Sequence, residues 1–348
     1  MKRWMPLFLS GAVLSTPVFP LQAVEWEALP KTPPIPKDNP QSDAKITLGK
    51  TLYFDPRLSS TGTISCNSCH NVMLGGDDNR PVSFGVHGKL GPRSAPSVWN
   101  AAFLSVQFWD GRAASLEEQA KGPVTNPIEM GMPDWDVVIK RLQAVPDYQP
   151  LFKAAFPEEK MPLNADNAAK AIAAYERTLI TPNSPYDRYV QGDKKALTEQ
   201  QVKGMELVAE VGCLSCHSGA NFSGPTTQKM GQGFFMKFPT FAGSKYDVQY
   251  ELLKDPGRYE VTKKEADKHM WRVPTWRNIA LTAPYFHNGA VPTLDEAVKV
   301  MAKTQLNKEL DDAQVKAIVA FLGGLTGEFP EQTMPRLPET TGMTVISE

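Results

Sequence analysis

The feature that most constrains this 348-residue chain is a pentapeptide, C-x-x-C-H, that occurs twice. The two copies are Cys66, Cys69 and His70, and Cys213, Cys216 and His217. Two cysteines at this spacing form thioethers with the vinyl groups of one porphyrin, and the adjoining histidine then binds the iron. A zinc site or a disulfide is the alternative, but the motifs use all four cysteines and each includes a histidine. The chain is therefore predicted to hold two covalently bound c-type haems.

Residues 1–23 have the pattern of a cleaved secretory signal peptide. Lys2 and Arg3 precede an apolar stretch that ends near Phe19, and Ala23 is a small residue of the kind found at cleavage sites. An uncleaved anchor is the alternative, but prolines interrupt the stretch, and no later segment has the length of a membrane helix. Because bacteria attach c-type haem outside the cytoplasm, we expect a periplasmic protein. No structural disulfide is expected, because the two motifs leave no spare cysteine.

The mature chain is long enough for two domains. Removing the signal leaves about 325 residues, and a domain takes about 150. We expect an extended, proline-rich arm at 24–42, a first domain at 43–190, and a second domain with a C-terminal tail at 191–348. The formal net charge of −1 implies neither nucleic acid nor an anionic membrane as a partner.

Most of the chain has helical periodicity. Apolar residues recur at steps of three and four, several segments begin at a capping residue, and strand-like alternation is scarce. After a helical segment that begins at Asp43, the predicted helices are 115–121, 134–145, 164–180, 197–211, 293–304 and 310–323. The fold class is predicted to be mainly α.

An internal repeat relates the two halves. The segment from Ala95 to Glu118 matches the segment from Val273 to Glu296 at a constant offset of 178 residues and without a gap. A C-x-x-C-H motif lies upstream of each copy. The simplest account is a duplication that produced two cytochrome-c-like domains, and chance similarity is the alternative.

The repeat also shows where the halves differ. Met301 lies on the predicted helix 293–304, where a methionine sulfur often completes the coordination of a c-type iron. Its repeat partner is Pro123, which cannot be a ligand. The second haem is therefore predicted to have His217 and Met301 as axial ligands, a pair that suits electron transfer. Met301 could instead be a core methionine, with Met270 the next candidate ligand.

The chain resembles the bacterial di-haem cytochrome c peroxidases and their relative, the methylamine-utilisation enzyme that matures tryptophan tryptophylquinone. The resemblance covers essentially the whole mature chain. It rests on the motifs LGK at 48–50, FDPRLS at 54–59, FWDGR at 108–112, GPV at 122–124, NPIEM at 126–130, TPNS at 181–184 and LTAPYFH at 281–287. In this family the first haem is the peroxidatic one and the second receives electrons.

The resemblance implies roles for particular residues at the first haem. His70 resembles the proximal ligand, and His87 resembles the detachable distal ligand on a glycine-rich loop. Glu129 resembles the acid–base residue above the iron, with Gln119 beside it and Pro123 shaping the pocket. One poised carboxylate can take a proton from the near oxygen of peroxide and return it to the leaving oxygen. Alternatively, His87 is an ordinary surface histidine and Glu129 is a carboxylate in a turn.

Further roles concern the second haem and the domain boundary. His217 resembles its proximal ligand and Met301 its permanent distal ligand, and Trp109 resembles the tryptophan between the haems. Thr282 and Pro284 resemble the backbone ligands of an interdomain calcium. The family usually has asparagine where this chain has Ser94, so the calcium affinity is left open. Trp109 could instead be a core residue, and His269 and His287 are interpreted as structural.

The sequence thus predicts a peroxidase that reduces hydrogen peroxide to water. A small c-type cytochrome or copper protein would donate electrons at the second haem, and homodimer formation is left open. Two alternatives remain. A pure electron-transfer cytochrome would keep six ligands on the first haem. The quinone-maturation relative has tyrosine in place of Met301 and tryptophan in place of Val211.

Overall fold

Helices dominate the structure, as the periodicity predicts. The computed structural model describes residues 25–346, and the predicted signal peptide at 1–23 lies outside that range. The α-helices are α1 Asp43–Phe54, α2 Cys66–Cys69, α3 Leu116–Thr125, α4 Trp135–Gln143, α5 Tyr148–Ala155, α6 Ala165–Glu176, α7 Pro185–Val190, α8 Glu199–Val211, α9 Lys245–Gln249, α10 Tyr259–Thr262, α11 Leu294–Leu306 and α12 Asp312–Gly323. Strands β1 Phe235–Lys237 and β2 Met270–Arg272 form a short antiparallel pair in which Met236 pairs with Trp271.

Each half is built on two helices that cross at a glycine. In the first half α1 crosses α6, and a Cβ on Gly49 would lie 1.8 Å from the carbonyl oxygen of Ala171. In the second half α8 crosses α12, and a Cβ on Gly204 would lie 1.9 Å from the carbonyl oxygen of Ala317. Contact this close requires the absence of a side chain. The main apolar clusters of the two halves are centred on these crossings.

The repeated segments have the same backbone conformation. Asn100 and Asn278 both adopt the left-handed conformation, with φ of 62° and 60°. Phe108 and Phe286 do the same eight residues later, with φ of 65° and 72°. Helices α3 and α11 begin at corresponding positions, each with a side-chain N-cap. The sequence repeat is therefore also a repeat of local structure.

The two repeats meet at one threonine hydroxyl. The amide nitrogens of Asn100 and Asn278 donate to Thr181 Oγ1 at 2.8 and 2.9 Å, and all three side chains are buried. Asn100 Oδ1 accepts the backbone N–H of Thr181, and Asn278 Oδ1 accepts that of Gly327. Thr181 thus joins the two halves through a fully bonded polar network.

Thr181→Val should destabilise the protein strongly, although it keeps the side-chain shape. Two buried amide donors would lose their acceptor, and each such loss costs about 1–3 kcal/mol. We expect the free energy of unfolding of the holoprotein to fall by about 2–4 kcal/mol. Denaturant titration measures this. Thr333→Val is the control, because this exposed threonine meets only the Lys50 ammonium and should change stability little.

The two chain ends cross between the halves. In the N-terminal arm, Trp26 packs edge-on against Phe321 of α12, whereas Asn39 is buried against the first half and bonds to the Lys170 carbonyl. The C-terminal tail leaves the second half and returns to the first, where Arg57 donates to the Pro338 carbonyl and Val345 joins the apolar cluster. The tail is therefore packed against the first domain.

The four cysteines form no disulfide bond. Within residues 25–346, every helix is too short or too polar to cross a membrane.

Candidate functional site

The first C-x-x-C-H motif opens into a large cavity. Its volume is about 990 Å³, at the upper end of the range that ligand pockets span. Eight of the predicted site residues line it: Cys66, Cys69, His70, Ser94, Trp109, Gln119, Pro123 and Glu129. Residues from both repeats and from the Glu251–Val261 segment complete the wall. The cavity has the size and the attachment residues that a covalently bound haem requires.

His70 is fixed in the orientation of an iron ligand. Its Nδ1 lies 2.9 Å from the Pro96 carbonyl oxygen, so Nδ1 carries the proton and Nε2 is free to bind metal. Tyr53 donates to the His70 carbonyl at 2.6 Å and anchors the backbone. Burial lowers the pKa of His70, which keeps the imidazole neutral as metal ligation requires.

The carboxyl of Glu129 lies on the cavity wall with α3. Burial raises the pKa of Glu129, and the nearby Arg112 guanidinium partly offsets this. Asn126 donates an amide N–H to Glu129 Oε1 at 3.0 Å and holds the carboxyl in place. Gln119 and Pro123 project from α3 into the same cavity. A carboxyl with a raised pKa, held in a cavity, is poised to give and accept a proton. Sequence reasoning missed Asn126, although its position three residues before Glu129 was a signal.

His87 lies outside the cavity. It occupies the tip of a two-residue hairpin, where His87 and Gly88 both have positive φ, 56° and 70°. The hairpin closes through the Lys89 N–H bond to the Val86 carbonyl, and the His87 side chain is exposed. Two consecutive positive φ angles define the turn type that matches the twist of paired strands. The structure therefore does not bring His87 to the cavity wall, and its predicted role as distal ligand stays a prediction.

The hairpin base packs directly on the Glu129 segment. The Val86 N–H donates to the Glu129 carbonyl at 2.9 Å, and a Cβ on Gly85 would lie 1.8 Å from the Ile128 carbonyl oxygen. An added methyl group therefore cannot fit there unless the loop or the 128–129 backbone is displaced. The position of Glu129 therefore depends on the glycine at 85.

Gly85→Ala should impair turnover without removing any catalytic group. The methyl group would displace the 128–129 backbone, and a misplacement of about 1 Å can cost about 10²-fold in rate. We expect a peroxide turnover loss of about that size with both haems retained, measured by steady-state kinetics and the haem absorbance. Gly91→Ala is the control, because the nearest atom would be 3.8 Å away. Equal activity of the two variants would contradict the prediction.

The second C-x-x-C-H motif also presents a ligand histidine. His217 is buried, and its Nδ1 lies 3.0 Å from the Phe222 carbonyl oxygen, so Nε2 is the atom free for metal. Trp276 stacks on the imidazole at a centroid distance of 4.4 Å. Burial lowers the pKa of His217 to about 4, which keeps the ring neutral. Cys213 packs against the apolar cluster of the second half.

Met301 lies on α11 at the edge of an aromatic cluster. The cluster includes Trp271 and Tyr285, and it adjoins the cluster around Cys213 through shared contacts with Ile279 and Leu294. A methionine in this position could serve as a ligand or as core, and its ligation stays a prediction.

Trp109 connects the two regions. It lines the first cavity and also packs against the aromatic cluster that includes Met301. Its indole N–H donates to the Ser94 carbonyl at 2.9 Å, and its carbonyl accepts the N–H of Arg272. Trp109 therefore occupies the boundary between the halves.

An ion-pair network, which the sequence did not reveal, closes the far wall of the cavity. Arg93 bonds to Asp110 at 2.5 Å and to Asp255 at 2.7 Å, joining the two halves. His287 stacks on Trp271 at a centroid distance of 4.1 Å, and its buried Nε2 has no hydrogen-bond partner within residues 25–346. Burial lowers the pKa of His287 to about 4. His287, interpreted from sequence as structural, thus lines the cavity.

The three predicted calcium-site residues lie at the domain boundary. Ser94 is buried, and its N–H donates to the His287 carbonyl. Thr282 and Pro284 belong to the opposing segment of the second half, and their carbonyl oxygens accept no hydrogen bond from the described residues. Free carbonyl and hydroxyl oxygens are suitable calcium ligands.

Comparison with known proteins defines the class. A family model described as di-haem cytochrome c peroxidase matches residues 43–195, and one described as RoxA-like, cytochrome c-like matches residues 274–306. The chain is 44% identical to the cytochrome c551 peroxidase of Pseudomonas aeruginosa, over 95% of this chain and 94% of the relative. It is 35% identical to the methylamine utilization protein MauG of Methylorubrum extorquens, over 89% and 86%.

Structural comparison agrees. The crystal structure of a MauG-like protein associated with microbial copper homeostasis superposes with a TM-score of 0.75 at 31% identity, covering 88% of this chain and 96% of that one. The protein is thus a c-type haem enzyme with an oxidoreductase site. The chain belongs to the di-haem cytochrome c peroxidase family, and its enzyme class is cytochrome-c peroxidase.

Proposed function

We propose that this protein reduces hydrogen peroxide to water in the periplasm, using electrons from a small c-type cytochrome or copper protein. The observation that carries the proposal is the first cavity, which contains a fixed, neutral His70 and a buried Glu129 on its walls. The first haem, when bound, would supply the iron and electrons for cleavage of the O–O bond.

In this proposal Glu129 moves the protons. Its carboxylate takes a proton from the peroxide oxygen nearer the cavity centre and returns it to the outer oxygen, which then leaves as water. Asn126 holds Oε1 and thereby directs the other oxygen toward substrate. Gln119 supplies an amide for orienting peroxide, and Pro123 limits the space around it.

The second half would accept electrons from the donor. We infer that His217 and Met301 bind the second haem iron, a combination that raises the reduction potential. Trp109, packed against both regions, provides the aromatic contact through which electrons reach the first cavity.

His87→Gly should give an enzyme that is active without prior reduction. If His87 is the detachable ligand, replacing it opens the peroxide site permanently, and glycine accepts the positive φ of this position without strain. Turnover by the fully oxidised starting protein measures this. His269→Gly is the matched control, because His269 is a histidine with φ of 59° whose ring bonds to the Asp255 carbonyl. A variant that still requires activation would remove the loop-switch role.

The alternative functions are less well supported. Tryptophylquinone maturation is associated with a tyrosine and a tryptophan at positions that here hold Met301 and Val211. The methylamine-utilisation relative is also less similar, at 35% identity against 44% for the peroxidase. Pure electron transfer would need a sixth ligand at the first haem, whereas the cavity there is lined by the side chains of Glu129 and Gln119.

We further infer an interdomain calcium held by Ser94, Thr282 and Pro284, and two cytochrome-c-like domains related by duplication. The matched φ angles at Asn100 and Asn278 support the duplication. The two amides bonded to one Thr181 hydroxyl also support it.

Steady-state peroxide consumption by the holoprotein tests the proposed function. A reduced c-type cytochrome serves as donor, and the enzyme is assayed both fully oxidised and after partial reduction. We expect peroxide-dependent oxidation of the donor in at least one state. No turnover in either state, with both haems bound, would remove the peroxidase function.

A further inference from the structure

Three segments converge where the two halves meet. In the first half, the Gly75 carbonyl accepts the Ser97 hydroxyl, and the Gly76 carbonyl accepts the Val98 N–H. This pairs the loop 75–79 with the segment 94–98. On its other side the loop meets the second half, where a Cβ on Gly75 would lie 2.6 Å from the Leu281 carbonyl oxygen. The 75–79 loop is therefore held between the two segments that carry the inferred calcium ligands.

Asp77 is the buried acid of this loop. Its relative exposure is 4%, and its Oδ1 has no hydrogen-bond partner among the described residues. It forms no ion pair with any described residue. Only the backbone N–H groups of Asp77 and Asn79 favour its charged form, while Asp78 repels it. Burial raises the pKa of Asp77 to about 7. A buried carboxylate without a countercharge is unfavourable, and a bound cation would remove that cost.

The nearby backbone leaves matching oxygens free. The amide of Asn79 donates to the carbonyls of Leu281 and Ala283, at 2.9 and 3.2 Å. The carbonyls of the residues that follow each of these, Thr282 and Pro284, accept no hydrogen bond from the described residues. Asn79 thus fixes the segment so that two carbonyl oxygens remain available beside the loop. Burial raises the pKa of the phenol of Tyr285, the next residue, and the nearby Asp77 carboxylate raises it further.

We propose that Asp77 is a direct carboxylate ligand of the interdomain calcium, together with the Thr282 and Pro284 carbonyls. The proposal rests on the inferred calcium site and adds a ligand to it. Calcium takes six to eight oxygens, and its affinity rises with the number of charged ligands. Ser94 has a short neutral hydroxyl at the position where the family usually has an asparagine amide. The negative charge of Asp77 would then supply the side-chain attraction for the cation. The loop would then be joined to both halves through one ion.

Calcium binding by the holoprotein tests this assignment. Isothermal titration of the calcium-free holoprotein with Ca²⁺ compares the parent, Asp77→Asn and Asp78→Asn. Asparagine keeps the shape of Asp77 and removes its charge, while Asp78 is the neighbouring and less buried acid. We expect Asp77→Asn to raise the dissociation constant at least tenfold and Asp78→Asn to change it less than threefold.

Thermal unfolding provides a second measurement, in which the effect of Asp77→Asn on stability should depend on calcium. Without calcium, Asp77→Asn should unfold at the same temperature as the parent or higher, because an unpaired buried charge is gone. With saturating calcium the parent should gain stability by mass action, and the variant should gain much less. If Asp77 has only a structural role, Asp77→Asn should instead be less stable than the parent both with and without calcium.

The outcomes separate the two inferences. A parent that binds no calcium overturns the interdomain site and the role of Asp77 together. A parent that binds calcium and an Asp77→Asn variant that binds it equally well overturns only the role of Asp77. If the variant is not recovered with both haems, crystals of the parent grown with calcium decide. A carboxylate oxygen within about 2.3–2.6 Å of the ion supports the proposal, and one beyond about 4 Å contradicts it.

Discussion

Glu129→Gln should reduce peroxide turnover by about 10²–10⁴-fold while leaving both haems in place. Glutamine keeps the size of the side chain and can still meet the Asn126 amide, but it cannot exchange a proton. The loss should be in kcat and kcat/KM together, because the proton is transferred in the transition state rather than on binding. Steady-state kinetics measures the loss, and haem absorbance confirms that the cofactors are retained.

The pH dependence gives this prediction a second test. Burial raises the pKa of Glu129, and the carboxylate must be ionised to accept the first proton. Activity of the parent should therefore rise with pH through a pKa above the usual value for glutamate, and that limb should disappear in Glu129→Gln. Glu158→Gln is the control, since Glu158 is exposed and does not line the cavity. A loss below about tenfold would move the acid–base role to another group.

Sequence periodicity predicted the helices well because it reports the buried face of each one. The predicted segment 164–180 corresponds to α6, whose N-cap is Asn164, and the predicted segment 197–211 corresponds to α8, whose N-cap is Thr198. Where the predictions extend too far, as at 177–180, the chain has already turned to pair Leu179 with Asn100. That contact joins residues distant in sequence, and no local pattern encodes it.

The sequence predicted which residues belong to the candidate site, but it did not predict how they are arranged in space. The C-x-x-C-H spacing identified His70, and the family resemblance implied the roles of Glu129 and Trp109. The structure adds groups whose importance comes from tertiary contact alone. Gly85 matters because of a carbonyl 43 residues away, and Asp77 because of a segment in the other half. Burial and missing partners are properties of the folded chain, so sequence patterns cannot reveal them.

The terminal segments also make tertiary contacts that sequence patterns do not reveal. The tail was predicted to belong to the second domain, yet its residues Leu337 and Val345 pack against the cluster of the first. Its prolines indicate an extended segment but not its destination. The domain boundary is likewise not a single point, because Tyr186, within the predicted first domain, is buried in the cluster of the second. Contacts of this kind tie the two predicted domains together at both ends.

Met301→His should lower the reduction potential of the second haem and slow electron entry from the donor. A thioether is a soft, neutral ligand that favours ferrous iron, whereas imidazole favours the ferric state. Axial ligands set haem potentials over about 0.8 V, and we expect a fall on the order of 0.1 V or more. The helix should tolerate the change, because Met301 lies at the edge of the aromatic cluster and is only partly buried.

A redox titration of Met301→His beside the parent measures the potential, and the long-wavelength charge-transfer band of methionine-ligated ferric haem reports the ligand directly. Met270→Leu is the control, since Met270 lies on β2 and is the next candidate. We expect the band to disappear in Met301→His and to remain in Met270→Leu. The reverse result would identify Met270 as the ligand. Met301 would then be a core residue, and electrons would enter beside β2 rather than beside α11.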